Sequence, residues 1–309
     1  MGPRTVKKGM GYFMNRPKKQ AYYHLMMLPG MIFLIIFNFI PMAGIVMAFQ
    51  NFSPVKGILE SKWVGLDNFR FIFSLPDSRQ IFVNTIIISL GKILLGILIP
   101  VCFSLLLNEI KMKFFKRTVQ TIVYMPHFLS WVVFAAVVQN IFSYDGPVNA
   151  LLTAIGMEPV MFLGSNQWFR TLMVTTDSWK EFGYGSIIYL AALTGIDPGL
   201  YEAASIDGAS RWKRLLYITL PGIMPIILIM LTMALPNILN AGFDQIFNLY
   251  NPLVYESGDI LDTYVYRVGM LKRQYSLGTA VGLIKSVVGM ILILAANKLV
   301  TTFSDRRMF

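Results

Sequence analysis

Six long apolar stretches, separated by polar segments, dominate the pattern of hydrophobic and polar residues along the chain. Each is long enough for a helix to cross the hydrocarbon core of a bilayer, which takes about 20 apolar residues. Helices satisfy their backbone hydrogen bonds internally, as lipid requires. We therefore predict an all-α polytopic membrane protein with six transmembrane helices. The predicted spans, numbered 1 to 6, are Leu25–Phe49, Ile81–Leu107, Val119–Phe142, Thr171–Thr194, Leu216–Leu239 and Thr279–Phe303.

The composition agrees with a membrane protein. Hydrophobic residues make up 55% of the 309 residues and charged residues 14%, whereas a soluble domain carries about 25% charged residues. A soluble chain with so little charge could not cover itself with a surface compatible with water. The single cysteine excludes a disulfide framework, and the two histidines are too far apart to indicate a metal site.

The formal net charge of +11 is compatible with a nucleic-acid partner, but the positions of the charges favour a different explanation. Fifteen Lys and Arg lie in the amino-terminal segment, in the segments after spans 2 and 4, and in the carboxyl-terminal tail, against eight in the longer loops of the other side. Basic residues favour the cytoplasmic side. We therefore expect a multi-pass protein of the cell membrane with both termini cytoplasmic, and no nucleic-acid partner.

The same pattern divides the chain into three parts. Residues 1–24 form a basic cytoplasmic segment, 25–303 the six-helix domain, and 304–309 a short cytoplasmic tail. The first apolar run is too long for a signal peptide and lacks a cleavage site of small residues, so we expect it to remain as an anchor.

Signatures of enzymes are absent from the sequence. Gly91-Lys92 is followed by Ile93 rather than by Ser or Thr, so no phosphate-binding loop is formed. The sequence also lacks a His-Glu-x-x-His pair and a Gly-x-Ser-x-Gly elbow. If the protein uses nucleotide energy, another chain must bind the nucleotide.

The segment between spans 4 and 5 predicts a short, stiff helix. Asp197-Pro198 is typical of a helix start, with Asp as the N-cap and Pro in the first turn. The helix is expected from about Gly199 to Ile206, and Gly208 can adopt the left-handed turn that ends it. A second helix should continue from Ala209 into span 5. Taken alone, the segment also fits an amphipathic helix at the membrane interface.

The sequence of this loop resembles a known signature. Glu202-Ala203-Ala204, with Gly208 six residues after the Glu and Ile218-Thr219-Leu220-Pro221 following, is similar to the Glu-Ala-Ala loop of binding-protein-dependent ABC transporter permeases. Asp207-Gly208-Ala209, Gly242-Phe243-Asp244-Gln245 and Tyr250-Asn251-Pro252 resemble the carbohydrate-uptake branch, which includes oligosaccharide permeases and maltose-type relatives.

The resemblance implies the MetI-like permease fold and a coupling helix in the loop 197–215, which would sit in a cleft of a cytoplasmic ATPase. It implies these partners: a second homologous permease subunit, two ABC ATPase subunits, an extracellular or lipid-anchored substrate-binding protein, and a carbohydrate. It implies no cofactor on this chain, with ATP and Mg on the ATPase. The residues expected to couple to the ATPase are Glu202, Ala203, Ala204, Asp207, Gly208 and Ala209.

Charged residues also occur inside the predicted spans. A charge at the centre of a membrane helix costs about 2.5 to 3.5 kcal/mol on insertion scales, so each needs a partner or water. Asp177, Glu181 and Tyr184 are spaced by three and four residues and share one face of span 4. One hypothesis is a hydrated substrate path formed by Lys92, Asp177, Trp179, Lys180, Glu181, Tyr184 and Tyr189.

The alternative hypothesis is a structural ion-pair network, in which Lys92 and Lys285 pair with the carboxylates of span 4 and connect spans 2, 4 and 6. The sequence leaves both open. Gly183 and Gly185 interrupt the run of larger residues in span 4, where they could allow a bend or a close helix contact. His127 is expected to be a packed polar residue rather than a proton relay.

Three functions therefore compete. An ATP-driven importer subunit for carbohydrate, with an oligosaccharide as the expected substrate, agrees best with the loop. An ion-coupled secondary transporter would use the intramembrane carboxylates and lysines, but it predicts an inverted repeat that the sequence does not display. An intramembrane enzyme would need a paired catalytic motif, which is absent.

Overall fold

The computed structural model describes residues 17–303, and its account of side chains covers residues 22–295, 297 and 298. The predicted tail 304–309 and most of the predicted basic segment 1–24 lie outside the described residues. The described chain is almost entirely helical, which confirms the all-α prediction. Its one sheet pairs two short antiparallel strands, β1 (Gln50–Asn51) and β2 (Lys62–Trp63).

Span 1 is an irregular but continuous helix over Tyr22–Phe49, with a mean hydropathy of 2.4. Only 6% of its most apolar 18-residue stretch is buried against the rest of the described chain. The surface of span 1 therefore requires contact with lipid or with another chain. Its segments, in order, are α1 (Pro17–Leu34), a π-helical turn (Ile35–Phe39), α2 (Ile40–Met42) and a 3₁₀ segment (Ala43–Phe49).

Span 2 lies in one helix, α5, which follows two short helices of the first outer loop. With 32 residues, α5 is the longest of the described helices, and it is long and apolar enough to cross a membrane, with a mean hydropathy of 2.5. The three helices are α3 (Gly57–Glu60), α4 (Asp67–Ser74) and α5 (Ser78–Glu109).

Span 3 is not a single straight helix, contrary to the prediction. Helix α6 (Lys113–Tyr124) passes through a 3₁₀ turn (Met125–Phe128) into α7 (Trp131–Ile141), and the chain bends by 107° at this break. Proline at position 126 lacks the backbone N–H that a continuing helix needs. The Ser130 hydroxyl then caps the first turn of α7.

Span 4 lies in α9 (Asn166–Thr194), a helix of 29 residues preceded by α8 (Pro147–Ala154) and a 3₁₀ turn (Phe162–Gly164). It is long enough to cross a membrane, but its charged residues keep it out of the four helices that are apolar enough by composition. Helix α9 runs unbroken through Gly183, so the predicted interruption of span 4 is wrong.

The coupling segment and spans 5 and 6 complete the chain. Span 5 is continuous over Arg211–Leu239, and all six predicted spans therefore have helical counterparts. The elements are α10 (Pro198–Ile206), α11 (Arg211–Arg214), a π turn (Leu215–Thr219), α12 (Leu220–Ala234), a 3₁₀ turn (Leu235–Leu239), α13 (Phe243–Leu249), a 3₁₀ turn (Pro252–Val254), α14 (Tyr255–Gly258), α15 (Leu261–Tyr264), a π segment (Val265–Leu271) and α16 (Tyr275–Phe303).

Helix α9 is central to the packing. Its amino-terminal half, with Phe169 and Met173, packs in one apolar cluster with α7 and α13, and its carboxyl-terminal half, with Tyr189 and Leu193, packs against α5 and α12. A close approach to α6 occurs at Gly183, where an added Cβ would lie 2.7 Å from the Val123 carbonyl carbon. Gly183 therefore serves close packing, which is the second of the two roles considered for it.

We predict that Gly183→Ala destabilises the protein, because its methyl group would overlap a backbone carbonyl that cannot rotate away. Overpacking of this kind costs about 1 to 3 kcal/mol. Thermal unfolding of the detergent-solubilised protein should show a lower midpoint. Gly96→Ala is the matched control, since a Cβ there meets no atom within 4 Å. Equal midpoints for the two variants would contradict the prediction.

Candidate functional site

The loop between spans 4 and 5 folds as its residues predict. The Asp197 carboxylate accepts a hydrogen bond of 2.8 Å from the Gly199 amide and caps α10 at its amino end. At the other end Gly208 adopts a left-handed conformation with φ of +73°, and the Ala209 amide donates to the Ala204 carbonyl at 2.8 Å. Both helix ends are thus closed by specific hydrogen bonds.

Further hydrogen bonds brace α10 against the start of span 5. The Arg214 guanidinium donates to the Ser205 hydroxyl at 2.8 Å, and the Tyr201 and Thr219 hydroxyls lie 3.0 Å apart. Ser210 caps α11. These hydrogen bonds connect α10 to the start of span 5 at two points.

The coupling residues predicted from the sequence lie on the surface of this braced unit. Glu202, Ala203, Asp207 and Gly208 are exposed, and Ala204 and Ala209 are half-buried. Beside them Ile206 is 87% exposed. The loop thus presents a carboxylate next to an apolar side chain, a combination suited to a protein surface with a basic group.

A second constellation surrounds Lys92 in the middle of α5. Its ammonium group donates to the Ala241 carbonyl at 2.7 Å and to the Gln245 side-chain oxygen, and lies 3.1 Å from the Asp177 carboxylate. An ammonium has three hydrogens to donate, and these three acceptors use them. Lys92 is therefore held by groups of this chain.

Gln245 extends the network into the segment after span 5. Its side-chain amide is buried and donates to the Met173 carbonyl and to the Thr176 hydroxyl, both at 2.8 Å. The network joins α5, α9 and α13. The ion pair between Lys92 and Asp177, which the structural hypothesis expects, is therefore present. The sequence placed Gln245 in a family motif, but gave it no role.

The Lys180 ammonium group lies at the break of span 3. Its side chain, 6% exposed, donates to the His127 carbonyl and to Glu181, both at 2.9 Å, and it lies 5.4 Å from the centre of the Trp131 ring. The His127 carbonyl belongs to the turn where helical hydrogen bonding stops. Lys180 therefore satisfies a backbone group that the break frees.

His127 also contacts this cluster through its side chain. Its Nδ1 lies 2.6 Å from a Glu181 carboxylate oxygen, and its ring stacks on Tyr184 with centroids 3.9 Å apart and planes 2° apart. His127 is thus a packed polar residue, as predicted. Its contacts with two predicted path residues were not foreseen, because the bend of span 3 creates them.

Two of the predicted path residues do not join this site. Trp179 packs on Phe134, and it is two residues from Asp177, roughly 200° around a helix. Tyr189 is 2% exposed and lies in the apolar core with Val101 and Ile223. Helix packing thus covers the Tyr189 ring, which contradicts a place for it on an exposed path. Trp179 contacts α7 and is still 39% exposed, so its place on the path stays a prediction.

The predicted role of Lys285 requires a correction as well. Its ammonium group pairs with Asp262 in α15, rather than with the carboxylates of span 4. Nearby, Arg267 pairs with Asp259 at 2.5 Å. These pairs bind the outer loop to itself and to span 6. The sequence hypothesis overlooked the loop carboxylates because it matched lysines with the carboxylates inside the spans.

Beside Lys285 is a cleft of about 410 Å³ between the end of span 5 and α16. Its polar lining comprises Asn237, Asn240, Lys285 and Ser286. Across the residues that the structure describes, no group of three or more His, Cys, Asp or Glu side chains is arranged to hold a metal ion.

Comparisons with known proteins agree with the loop motif. Residues 92–308 match the family model described as binding-protein-dependent transport system inner membrane component. The chain is 40% identical over 292 residues to the polygalacturonan/rhamnogalacturonan transport system permease protein YteP of Bacillus subtilis, covering 94% of this chain and 91% of YteP. It is 39% identical to protein LplB of the same organism, covering 99% and 96%.

A solved structure shares the fold. The bacterial alginate ABC transporter, in complex with an alginate pentasaccharide-bound periplasmic protein, contains a chain that superposes with a TM-score of 0.87. The sequence identity is 37%, and the match covers 94% of this chain and 98% of that chain. The chain therefore belongs to the family of binding-protein-dependent transport system inner membrane components, and is a multi-pass ABC permease rather than an enzyme.

Proposed function

We propose that the chain is one permease subunit of an ATP-driven importer that takes up an oligosaccharide delivered by an extracellular binding protein. A second permease subunit would complete the translocation path, and two cytoplasmic ATPases would supply ATP and Mg. The observation that carries the proposal is the braced loop 197–215, which combines an exposed Glu202 with a rigid connection to span 5. The names of the relatives support a carbohydrate substrate.

The transport cycle follows from this geometry. Closure of the ATPases would push the coupling loops, and α10 would pass the displacement through Arg214 and Thr219 to span 5. The paired permease subunits would then tilt and open the path to the opposite side. With both termini cytoplasmic, as the distribution of Lys and Arg favours, the loop would lie on the ATPase side.

The substrate path is proposed along the exposed part of the span 4 face. The Glu181 side chain is 39% exposed, and Tyr184 as a whole residue is 47% exposed. We assign a structural role to three other residues of the predicted path, because each forms an ion pair within this chain. They are Lys92, Asp177 and Lys180, and they support the positions of Glu181 and Tyr184. An ion-coupled transporter would need charges free to change partners, and the saturated Lys92 ammonium argues against it.

We expect proteoliposomes containing the complete transporter to accumulate oligosaccharide when ATP is inside and loaded binding protein is outside. Probes are oligosaccharides of galacturonan and alginate, chosen from the relatives, and a neutral galacto-oligosaccharide. A tag fused after Phe309 should stay protected from external protease. Uptake that persists with an inactive ATPase, or that collapses when an ion gradient is dissipated, would support the secondary transporter instead.

We predict that Glu202→Lys lowers ATP-dependent uptake at least about tenfold, because charge reversal removes a charge-assisted contact worth about 1.5 to 3 kcal/mol. Gly208→Val should act similarly by straining the left-handed turn. Cross-linking from α10 to the ATPase measures the lost contact directly. Glu158→Lys, an exposed reversal elsewhere on the chain, is the control. Normal uptake by both loop variants would refute coupling through this loop.

We predict that Lys92→Met destabilises the protein by roughly 1 to 3 kcal/mol, because it leaves the half-buried Asp177 carboxylate without its cation. The double variant Lys92→Met with Asp177→Leu should recover much of this loss, since both charges are then absent. Thermal unfolding of the four proteins forms a double-mutant cycle. A double variant as unstable as the sum of the two single variants would show that the pair is not coupled.

A further inference from the structure

The break in span 3 places His127 against the proposed substrate face of span 4. The residue occupies the last part of the 3₁₀ turn Met125–Phe128, between helices that differ in direction by 107°. Lys180 holds its backbone carbonyl at 2.9 Å, so the position of the residue is fixed independently of its side chain. The imidazole can therefore act on other groups without being needed to close the turn.

The imidazole covers one face of the Tyr184 ring. With planes 2° apart and centroids 3.9 Å apart, the two rings lie in full contact. Phe128 meets the same pair edge-on, at 5.4 Å from His127 and 6.2 Å from Tyr184. Tyr184 is nevertheless 47% exposed. One face of the Tyr184 ring is thus covered, and another part of the ring remains accessible. The two neighbouring rings restrict its rotation.

The imidazole also orients the Glu181 carboxylate. One oxygen lies 2.9 Å from the Lys180 ammonium, and the other 2.6 Å from His127 Nδ1. An ionised carboxylate can only accept, so Nδ1 supplies the hydrogen in this contact. Each carboxylate oxygen can accept more than one hydrogen bond. Glu181 is therefore held in one orientation while it keeps acceptor capacity for a ligand.

We propose that His127 is a positioning residue for an oligosaccharide subsite formed by Tyr184 and Glu181, an inference that rests on the proposed function. The open face of Tyr184 suits the C–H face of a pyranose ring, and the Glu181 oxygens accept hydrogen bonds from its hydroxyl groups. Because Glu181 is anionic, the edge of the sugar that meets it carries hydroxyls rather than a carboxylate. His127 acts through both residues without contacting the sugar.

The surrounding charges agree with this role. The groups that face His127 are Glu181, Lys180 and Tyr184 from α9 and Phe128 from its own turn. Lys180 and Glu181 balance each other, so the imidazole is not required as a counter-ion for an isolated charge. A purely structural role would instead make stability, and not sugar handling, depend on the ring.

Three substitutions separate the two functions of the ring. His127→Phe keeps a flat ring on Tyr184 and removes the hydrogen bond to Glu181. His127→Asn keeps a side-chain N–H donor and removes the stacking. His127→Ala removes both. The measured quantity is sugar imported per ATP hydrolysed, in vesicles of the complete transporter with saturating binding protein, using trigalacturonate and a neutral galacto-trisaccharide as probes.

We expect His127→Ala to lower this ratio about tenfold, the size expected for losing a charge-assisted hydrogen bond. The variants His127→Phe and His127→Asn should each retain part of the ratio that His127→Ala loses. All three variants should keep an ATP hydrolysis rate and a melting temperature close to those of the unsubstituted protein. His24→Ala, at the other histidine of the chain, is the matched control and should leave the ratio unchanged.

The outcomes are distinct. An unchanged ratio in His127→Ala, or a loss that follows the melting temperature in all three variants, overturns the positioning role. Failure of the unsubstituted transporter to import either probe in an ATP-dependent way counts against the proposed function itself. Loss of both uptake and ATP hydrolysis in His127→Ala, with the ratio retained, assigns the residue to assembly and also overturns the proposal.

Discussion

The cost of placing charge inside a membrane is the constraint on which this structure depends. An isolated charge there costs several kcal/mol, so it must meet an opposite charge or a set of hydrogen-bond acceptors. Among the described residues, Lys92, Lys180 and Lys285 each contact a carboxylate of this chain. The Lys92–Asp177 pair joins α5 to α9, and the Lys285–Asp262 pair joins α16 to α15, so these two contacts also help to fix how the helices pack.

This requirement explains why the irregular parts of the chain are stable. Where span 3 bends, a backbone carbonyl loses its helical partner, and the Lys180 ammonium replaces that partner. Where the chain leaves span 5, Lys92 and Gln245 hold α13 against α5 and α9. The polar groups thus hold the helices together as one body, which the proposed coupling through the loop 197–215 would require.

Features that depend on neighbouring residues along the chain could be predicted from the sequence. Apolar stretches of sufficient length form helices because lipid offers the backbone no other partner. The cap at Asp197 and the left-handed turn at Gly208 formed as expected, since each depends on a few adjacent residues. The bend at Pro126 was missed, because hydropathy reports how apolar a segment is and not whether it is straight.

The sequence by itself determined that the protein lies in lipid, where its apolar helices lie along the chain, how the loop 197–215 folds, and the family. Only the tertiary structure decided which groups meet. It paired Lys285 with a loop carboxylate, buried Tyr189 in the core, packed Trp179 on Phe134 and placed His127 on Tyr184. Periodicity assigns a residue to a face of its own helix, whereas its partner depends on how distant helices cross. That crossing is fixed by packing contacts such as Gly183 on Val123, which no local pattern encodes.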